Sequence, residues 1–194
     1  MCATRLILAS ASPRRKALLY ASGLQCFDVI ESGISEARRA GEGGHDYALR
    51  VACDKALTVS TKVPRALVLA ADTIVICENE ILLKPKSEDD ACRMLMTLSG
   101  RTHSVVTAYA LASGGAILEA QPIVSHVAFH CLSEQQVREY IASGEPMDKA
   151  GAYGIQGKGG AFIAQVVGSR ENVMGLPVHE VMAALARFGF SPNS

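Results

Sequence analysis

Ser10, Ser12, Arg14 and Arg15 fall within one hexapeptide, Ser10-Ala11-Ser12-Pro13-Arg14-Arg15, and residues of these types can seat a phosphate. Ser12 suits the N-cap of a helix, and Pro13 suits its first position, where a missing N–H costs nothing. A helix start leaves backbone N–H groups unpaired and carries the positive end of the dipole, to which two guanidinium groups add charge. The plain alternative is a capped surface helix with two solvated arginines. Asp72 is the second residue of interest, in Ala66-Leu67-Val68-Leu69-Ala70-Ala71-Asp72-Thr73-Ile74-Val75-Ile76. That run is apolar at successive positions, as a strand buried on both faces requires. An aspartate there is costly unless it is paired, protonated or bound to a cation. Next to a phosphate cradle it reads as a magnesium ligand or general base, with a buried architectural acid as the alternative.

Two further stretches carry candidate groups. Asp148 to Gly160 is dense in glycine, which lets backbone approach a ligand closely, and Gln156 offers an amide with donor and acceptor edges. A flexible loop is the alternative. In Lys84-Pro85-Lys86 the proline stiffens the chain, so a lysine can be held at a fixed point rather than swept through solvent. A basic hairpin exit is the plain reading. His103 stands where a strand begins and is expected to hydrogen-bond a loop rather than to act as an acid–base group. His126 and His130 would share a metal on a helix, but on a strand they lie about four residue rises apart, so they read as structural.

The elements that must position these groups follow from periodicity. Leu6-Ile7-Leu8 reads as a buried strand, followed by a helical pattern from Lys16 to Ser22 closed by Gly23. Phe27–Glu31 reads as a half-exposed strand and Gly33–Gly44 as a loop carrying Glu36, Arg38 and Arg39. Asp46 is expected to cap a helix from Tyr47 to Ser60 with Leu49, Ala52, Ala56 and Val59 on one face. Read from the residues alone, Arg50 and Lys55 on that helix are solvated charges. Ser87 opens a helix whose inner face holds Ala91, Met94, Leu95 and Leu98. Strands are predicted through Leu111 and over Ile117–Leu132, joined at Ser113-Gly114-Gly115. A capped helix from Ser133 to Gly144, a strand over Ala161–Val167 and a helix over Val178–Phe188 complete the alternation, the last presenting Val181, Met182, Leu185 and Phe188 to the core.

The totals bound the class. A chain of 194 residues, 49% of them hydrophobic, can build one large domain or two closely packed lobes. Lys plus Arg and Asp plus Glu both number 19, a balance that argues against coating nucleic acid or an anionic membrane. Six cysteines (2, 26, 53, 77, 92 and 131) form no Cys-x-x-Cys pair and are expected to be buried free thiols in a reducing compartment. Arg5, Arg14 and Arg15 interrupt any signal-peptide pattern, and Ser-Gly-Gly spoils the uncharged stretch Thr102–Leu118 as a membrane span. A soluble cytoplasmic protein is the expectation.

Taken in order, the motifs resemble the Maf family of nucleotide pyrophosphatases. The resemblance runs through Ser-x-Ser-Pro-Arg-Arg, Arg50-x-Ala-x-x-Lys55-Ala, Ala-Asp72-Thr73, Lys84-Pro85 and Ser99-Gly-x-x-His103-x-Val-x-Thr107. It continues through Asp148-Lys-Ala-Gly-x-Tyr-x-Ile-Gln156-Gly and Gly168-Ser-x-x-Asn172-Val-x-Gly-Leu-Pro177. Two positions depart from the family pattern: Glu80, where a turn glycine is common, and Arg170, where tyrosine is frequent. The resemblance implies an α/β, ITPase-like fold over residues 1–194, with a mixed central sheet flanked by helices and a cleft between two lobes. It also implies a homodimer. The Asp-Lys-Ala-Gly segment is the form found in the dTTP/UTP-hydrolysing branch, with CTP or modified pyrimidine nucleotides as further candidates. Hydrolysis of a nucleoside triphosphate to the monophosphate and pyrophosphate with Mg²⁺, or Mn²⁺, is implied. By the same resemblance Asp72 and Glu36 are the acidic catalytic and metal residues, and Lys55, Lys84 and Arg14 grip the phosphates. Ser10, Ser12 and Arg15 shape the cradle; Arg14, Thr73 and Gln156 influence which nucleotide is accepted. The rival readings are a 7-methyl-GTP pyrophosphatase of the same family and a nucleotide-binding regulator of septum formation.

Overall fold

Strand β1 (Leu6–Leu8) is buried at all three positions, as its unbroken apolar run requires; the computed structural model describes residues 5–190. Helix α1 (Pro13–Ala21) follows with Ser12 as its N-cap and Pro13 in its first turn. It begins three residues before the apolar periodicity does, because the proline and two arginines of its first turn contribute no apolar signal. Strand β2 (Asp28–Val29) is shorter than the alternation suggested, and both residues are exposed. It pairs in parallel with β1 at the end of the sheet, and among the described residues no further strand extends it.

Helix α2 (Gly44–Lys62) is longer than predicted and has Gly43, not Asp46, at its N-cap. Asp46 lies instead in the first turn, where a carboxylate complements the dipole. Strand β3 (Leu67–Cys77) runs parallel to β1, with Leu6, Ile7 and Leu8 opposite Leu67, Val68 and Leu69. Nine of its eleven residues are buried, the pattern of a central strand. Strand β4 (Glu80–Leu82) folds back antiparallel onto the end of β3. The left-handed residue of that turn is Glu78, at φ 55°, so the Glu80 departure falls on a paired strand position.

Helix α3 (Glu88–Leu98) has Ser87 accepting the Asp90 N–H at 3.1 Å and buries Ala91, Met94, Leu95 and Leu98 as predicted. Strands β5 (Thr102–Ser113) and β6 (Ala116–Phe129) are joined by Gly114 and Gly115, both at positive φ, the conformation a two-residue hairpin demands. Helix α4 (Glu134–Ile141) opens on a reciprocal capping box of Ser133 and Gln136. Three short 3₁₀ turns follow, Glu145–Asp148, Ala150–Ala152 and Lys158–Phe162. Strand β7 (Ile163–Val167) pairs antiparallel with β6; Ala161 and Phe162, expected in the strand, belong to the preceding turn. Helices α5 (Arg170–Met174) and α6 (Val178–Arg187) end the described chain. Helix α6 buries Val181, Ala184 and Leu185, whereas Phe188 lies past its end and is 37% exposed.

The sheet order is β2-β1-β3-β5-β6-β7, with β4 attached to β3, and it is mixed in direction. The chain divides into two compact units. One comprises the chain up to Asp72, Thr107–Ile123 and the chain from Gly175 onward; the other comprises Thr73–Val106 and Val124–Met174. The second has a contiguous core of Leu82, Leu95, Leu98, Val127, Phe129, Tyr140, Tyr153 and their neighbours. All five described cysteines are free. Cys77 is buried, but Cys26 and Cys131 are exposed, contrary to expectation, because both stand outside the strands and helices; Cys2 lies outside the described residues.

Candidate active site

Three of the predicted residues meet in the first unit. The Lys55 ammonium lies 2.8 Å from Asp72 Oδ1 and 2.8 Å from Glu36 Oε1. Lys55 comes from α2, Asp72 from β3, and Glu36 from the irregular segment between β2 and α2. The side chains of Lys55 and Asp72 are 9% and 8% exposed, that of Glu36 44%. Lys55 is therefore not the solvated charge its residue type suggested. It stands four residues after Val51 and three after Ala52, on the buried stripe of α2, so helical spacing could have found it. Burial raises the Asp72 carboxyl above its ordinary value, while the Lys55 and Arg15 charges pull against that rise. Burial, with the Asp72 and Glu36 charges, pushes the Tyr47 phenol up to about 12.

The serine-arginine segment is built as a brace. Buried Ser10 accepts two hydrogen bonds on its hydroxyl, from the Ser12 N–H and from Arg15 Nη1, each at 3.2 Å. Ser12 accepts the Arg15 N–H at 3.4 Å, and Arg15 Nε donates to the Gly175 carbonyl at 2.7 Å. Arg15 thus ties the start of α1 to a residue 160 positions away, and its charge acts on both Asp72 and Glu36. Arg14, beside it in the first turn of α1, is half-buried.

Thr73, Lys84 and Gln156 belong to the second unit. Thr73 is half-buried on β3. Lys84 is exposed just past β4, pairs with no carboxylate among the described residues, and is followed by buried Pro85. Gln156 is exposed, and its amide makes no hydrogen bond to a described residue. The loop that carries it is held from beneath by Glu145. That carboxylate accepts from the Tyr140 hydroxyl at 2.9 Å, from Lys158 N–H at 3.0 Å and from Gly159 N–H at 3.4 Å. A Cβ at Gly157 would collide with the same carboxylate, which explains the glycine there. Sequence reasoning missed Glu145, since a lone acid before a proline carries no signal.

His103 hydrogen-bonds a loop residue, as expected: Nε2 lies 2.8 Å from the Tyr153 hydroxyl, and Phe129 packs edge-on against the ring. Its Nδ1 has no partner among the described residues, and burial pushes its pKa down to about 4. The folded protein then binds fewer protons than the unfolded chain between pH 6.5 and about 4, so stability falls on acidification through that window. His103→Asn should flatten this loss by about 3 kcal/mol, read as the difference in pH dependence of urea midpoints between the two proteins. Parallel curves would show that His103 does not titrate as a buried neutral base. Asn172, also fully buried, donates to the Val105 carbonyl at 3.2 Å and to Ser125 Oγ at 3.1 Å, so it serves as a structural tie.

The carboxylates of Asp72 and Glu36 converge on one cationic point, and both supply hard oxygen donors. Such a pair fits Mg²⁺ or Mn²⁺, which take one or two carboxylates and complete their shell with water and phosphate oxygens. Among the described residues no group of three or more His, Cys, Asp or Glu is disposed as a metal cage.

Two acids thus share one ammonium in the same unit as a serine-capped helix start, within an α/β fold. The chain belongs to the Maf family: the family's Maf-like protein model matches residues 5–188. A dTTP/UTP pyrophosphatase of Chromobacterium violaceum is 46% identical over 192 residues, covering 96% of each chain. One of Salmonella typhimurium is 48% identical over 186 residues, 95% of this chain and 93% of its own. One of Escherichia coli O157:H7 is 46% identical over the same length, with the same coverage. Among the described residues no helix is long and apolar enough to cross a membrane.

Proposed function

We propose that this protein is a nucleoside triphosphate pyrophosphatase that hydrolyses dTTP and UTP to the monophosphate and pyrophosphate, with CTP or modified pyrimidine nucleotides as further candidate substrates. The observation that carries this reading is identity of 46–48% over nearly the whole chain to dTTP/UTP pyrophosphatases. The Lys55, Asp72 and Glu36 cluster supports hydrolysis over a regulatory role, because a protein that only binds nucleotide needs no base.

Water attacks the α-phosphorus, where negative oxygens repel a nucleophile. Asp72 takes the proton as the new P–O bond forms, and the bond from the α-phosphorus to the bridging oxygen breaks, with pyrophosphate taking the electron pair. Burial strengthens Asp72 as a base. Lys55, Lys84 and Arg14 offset charge on the phosphates, and Ser10, Ser12 and Arg15 shape their seat. Asp72 and Glu36 would hold Mg²⁺ or Mn²⁺, and a bound cation offsets the oxyanion charge and steadies the leaving pyrophosphate. Arg14, Thr73 and Gln156 govern the choice of nucleotide. A cytoplasmic homodimer acting on free nucleotides, without nucleic acid or membrane partners, completes the reading; the balanced charge supports the last point.

A pyrophosphate-release assay over dTTP, UTP, CTP and 7-methyl-GTP with Mg²⁺ tests it. Turnover is expected with dTTP and UTP; turnover confined to 7-methyl-GTP would overturn the substrate assignment. Gln156→Glu replaces an N–H donor by an acceptor and should lower the preference for dTTP and UTP over CTP by about tenfold, with a smaller change in kcat. An unchanged substrate profile would remove Gln156 from base reading.

A further inference from the structure

Arg50, a solvated charge by residue type, bonds to two carboxylates and a backbone carbonyl. The segment from Glu31 to Gly43 is irregular and contains no fully buried residue, Ile34 being half-buried. Polar contacts from one face of α2 hold the segment. Arg50 Nε and Nη2 grip the Glu42 carboxylate at 2.5 and 2.8 Å, and Nη2 also donates to the Ala37 carbonyl at 3.1 Å. Nη1 reaches Asp54, one turn on, at 3.2 Å. Tyr47, one turn before Arg50, donates its hydroxyl to the Glu36 carbonyl at 2.7 Å, and the Arg50 guanidinium lies over its ring at 5.5 Å from the centroid. Glu42 in turn fastens the loop to itself: its carboxylate accepts the Arg39 N–H at 3.1 Å, and its carbonyl accepts Arg38 Nη2 at 2.8 Å.

We propose that Arg50 is a positioning residue that clasps the Glu36 loop onto α2 and thereby sets the Glu36 carboxylate against Lys55. The carbonyls of Glu36 and Ala37 are both held, one by Tyr47 and one by Arg50, so the Glu36 side chain leaves the backbone from a fixed point. A planar guanidinium engages a carboxylate, a carbonyl and a second carboxylate at once, which a lysine ammonium on a flexible stem cannot reproduce. The clasp rests on Glu36 having the part in hydrolysis proposed above.

Arg50→Ala and Arg50→Lys should each lower kcat/KM for dTTP by about 10–100-fold, the usual loss when a partner of a site residue is removed. In a Glu36→Gln background the same changes should cost almost nothing further, because the group being positioned has gone. Glu42→Gln, which keeps the shape but weakens the clasp, should follow Arg50→Lys. Amide hydrogen exchange over residues 36–42 should accelerate in all three variants while that of β3 stays unchanged. Losses that multiply with Glu36→Gln, or unchanged exchange in the loop, would overturn the positioning role. Full activity in Glu36→Gln would instead locate the fault in the site assignment, and the exchange rates would still decide whether Arg50 holds the loop.

Discussion

Asp72→Asn should lose pyrophosphate release by about 10³-fold or more while dTTP still binds, because a proton acceptor worth about 10²–10⁴ is removed together with a carboxylate on the cation. Asparagine fills nearly the same volume in a strand position buried on both faces, so the core of β3 has no cavity to absorb. Its amide oxygen can still accept from Lys55, which lies 2.8 Å from Asp72 Oδ1 in the native protein. What it cannot do is take a proton from water or carry charge. Single-turnover measurement on the variant, beside calorimetric titration with an α,β-methylene analogue of dTTP, separates the two effects. Retained turnover would remove Asp72 from the mechanism, and loss of binding alone would reassign it to holding substrate.

Lys55→Met should show the second largest effect, on stability as well as on activity. Lys55 is the cation between Asp72 and Glu36, and stripping one member from a buried pair costs about 3–5 kcal/mol. The sign of the pH dependence follows from Asp72, whose carboxyl burial already raises. Between the ordinary value of 3.8 and the raised one, the unfolded chain has released that proton while the folded one still holds it. Stability therefore declines as pH rises from there toward the raised value, and removal of Lys55 carries the rise further. The variant should thus be destabilised most at neutral to alkaline pH and recover on acidification, and Asp72→Asn introduced into it should restore much of the loss at pH 8. Thermal melts of the two single variants and the double across pH check this. A deficit that is flat in pH would mean that the Asp72 charge is not what Lys55 offsets.

The parts of this molecule that announce themselves in sequence are those governed by local chemistry. Ser12 and Ser87 cap the helices that their positions indicate, and the apolar run around Asp72 becomes a central strand because no polar face interrupts it. Gly114 and Gly115 mark their hairpin because only glycine turns so tightly at low cost. Other features depend on partners distant in the chain. The bond from Arg15 to the Gly175 carbonyl has no local signal, and Arg50 reads as a surface charge until the Glu42 carboxylate meets it. Glu145 lies in a segment with no periodic pattern, yet it gathers three donors from residues 140, 158 and 159. Charge pairing across irregular backbone leaves no periodic trace, so nothing short of the folded arrangement reveals it. Lys55 stands between these cases, since its place on the apolar stripe of α2 was legible and its residue type obscured it.

The reaction itself is tested most directly by hydrolysing dTTP with Mg²⁺ in oxygen-18 water and analysing the products by mass spectrometry. Attack at the α-phosphorus places the label in the nucleoside monophosphate and leaves the released pyrophosphate unlabelled. Label in pyrophosphate, or release of orthophosphate with a nucleoside diphosphate, would contradict the account.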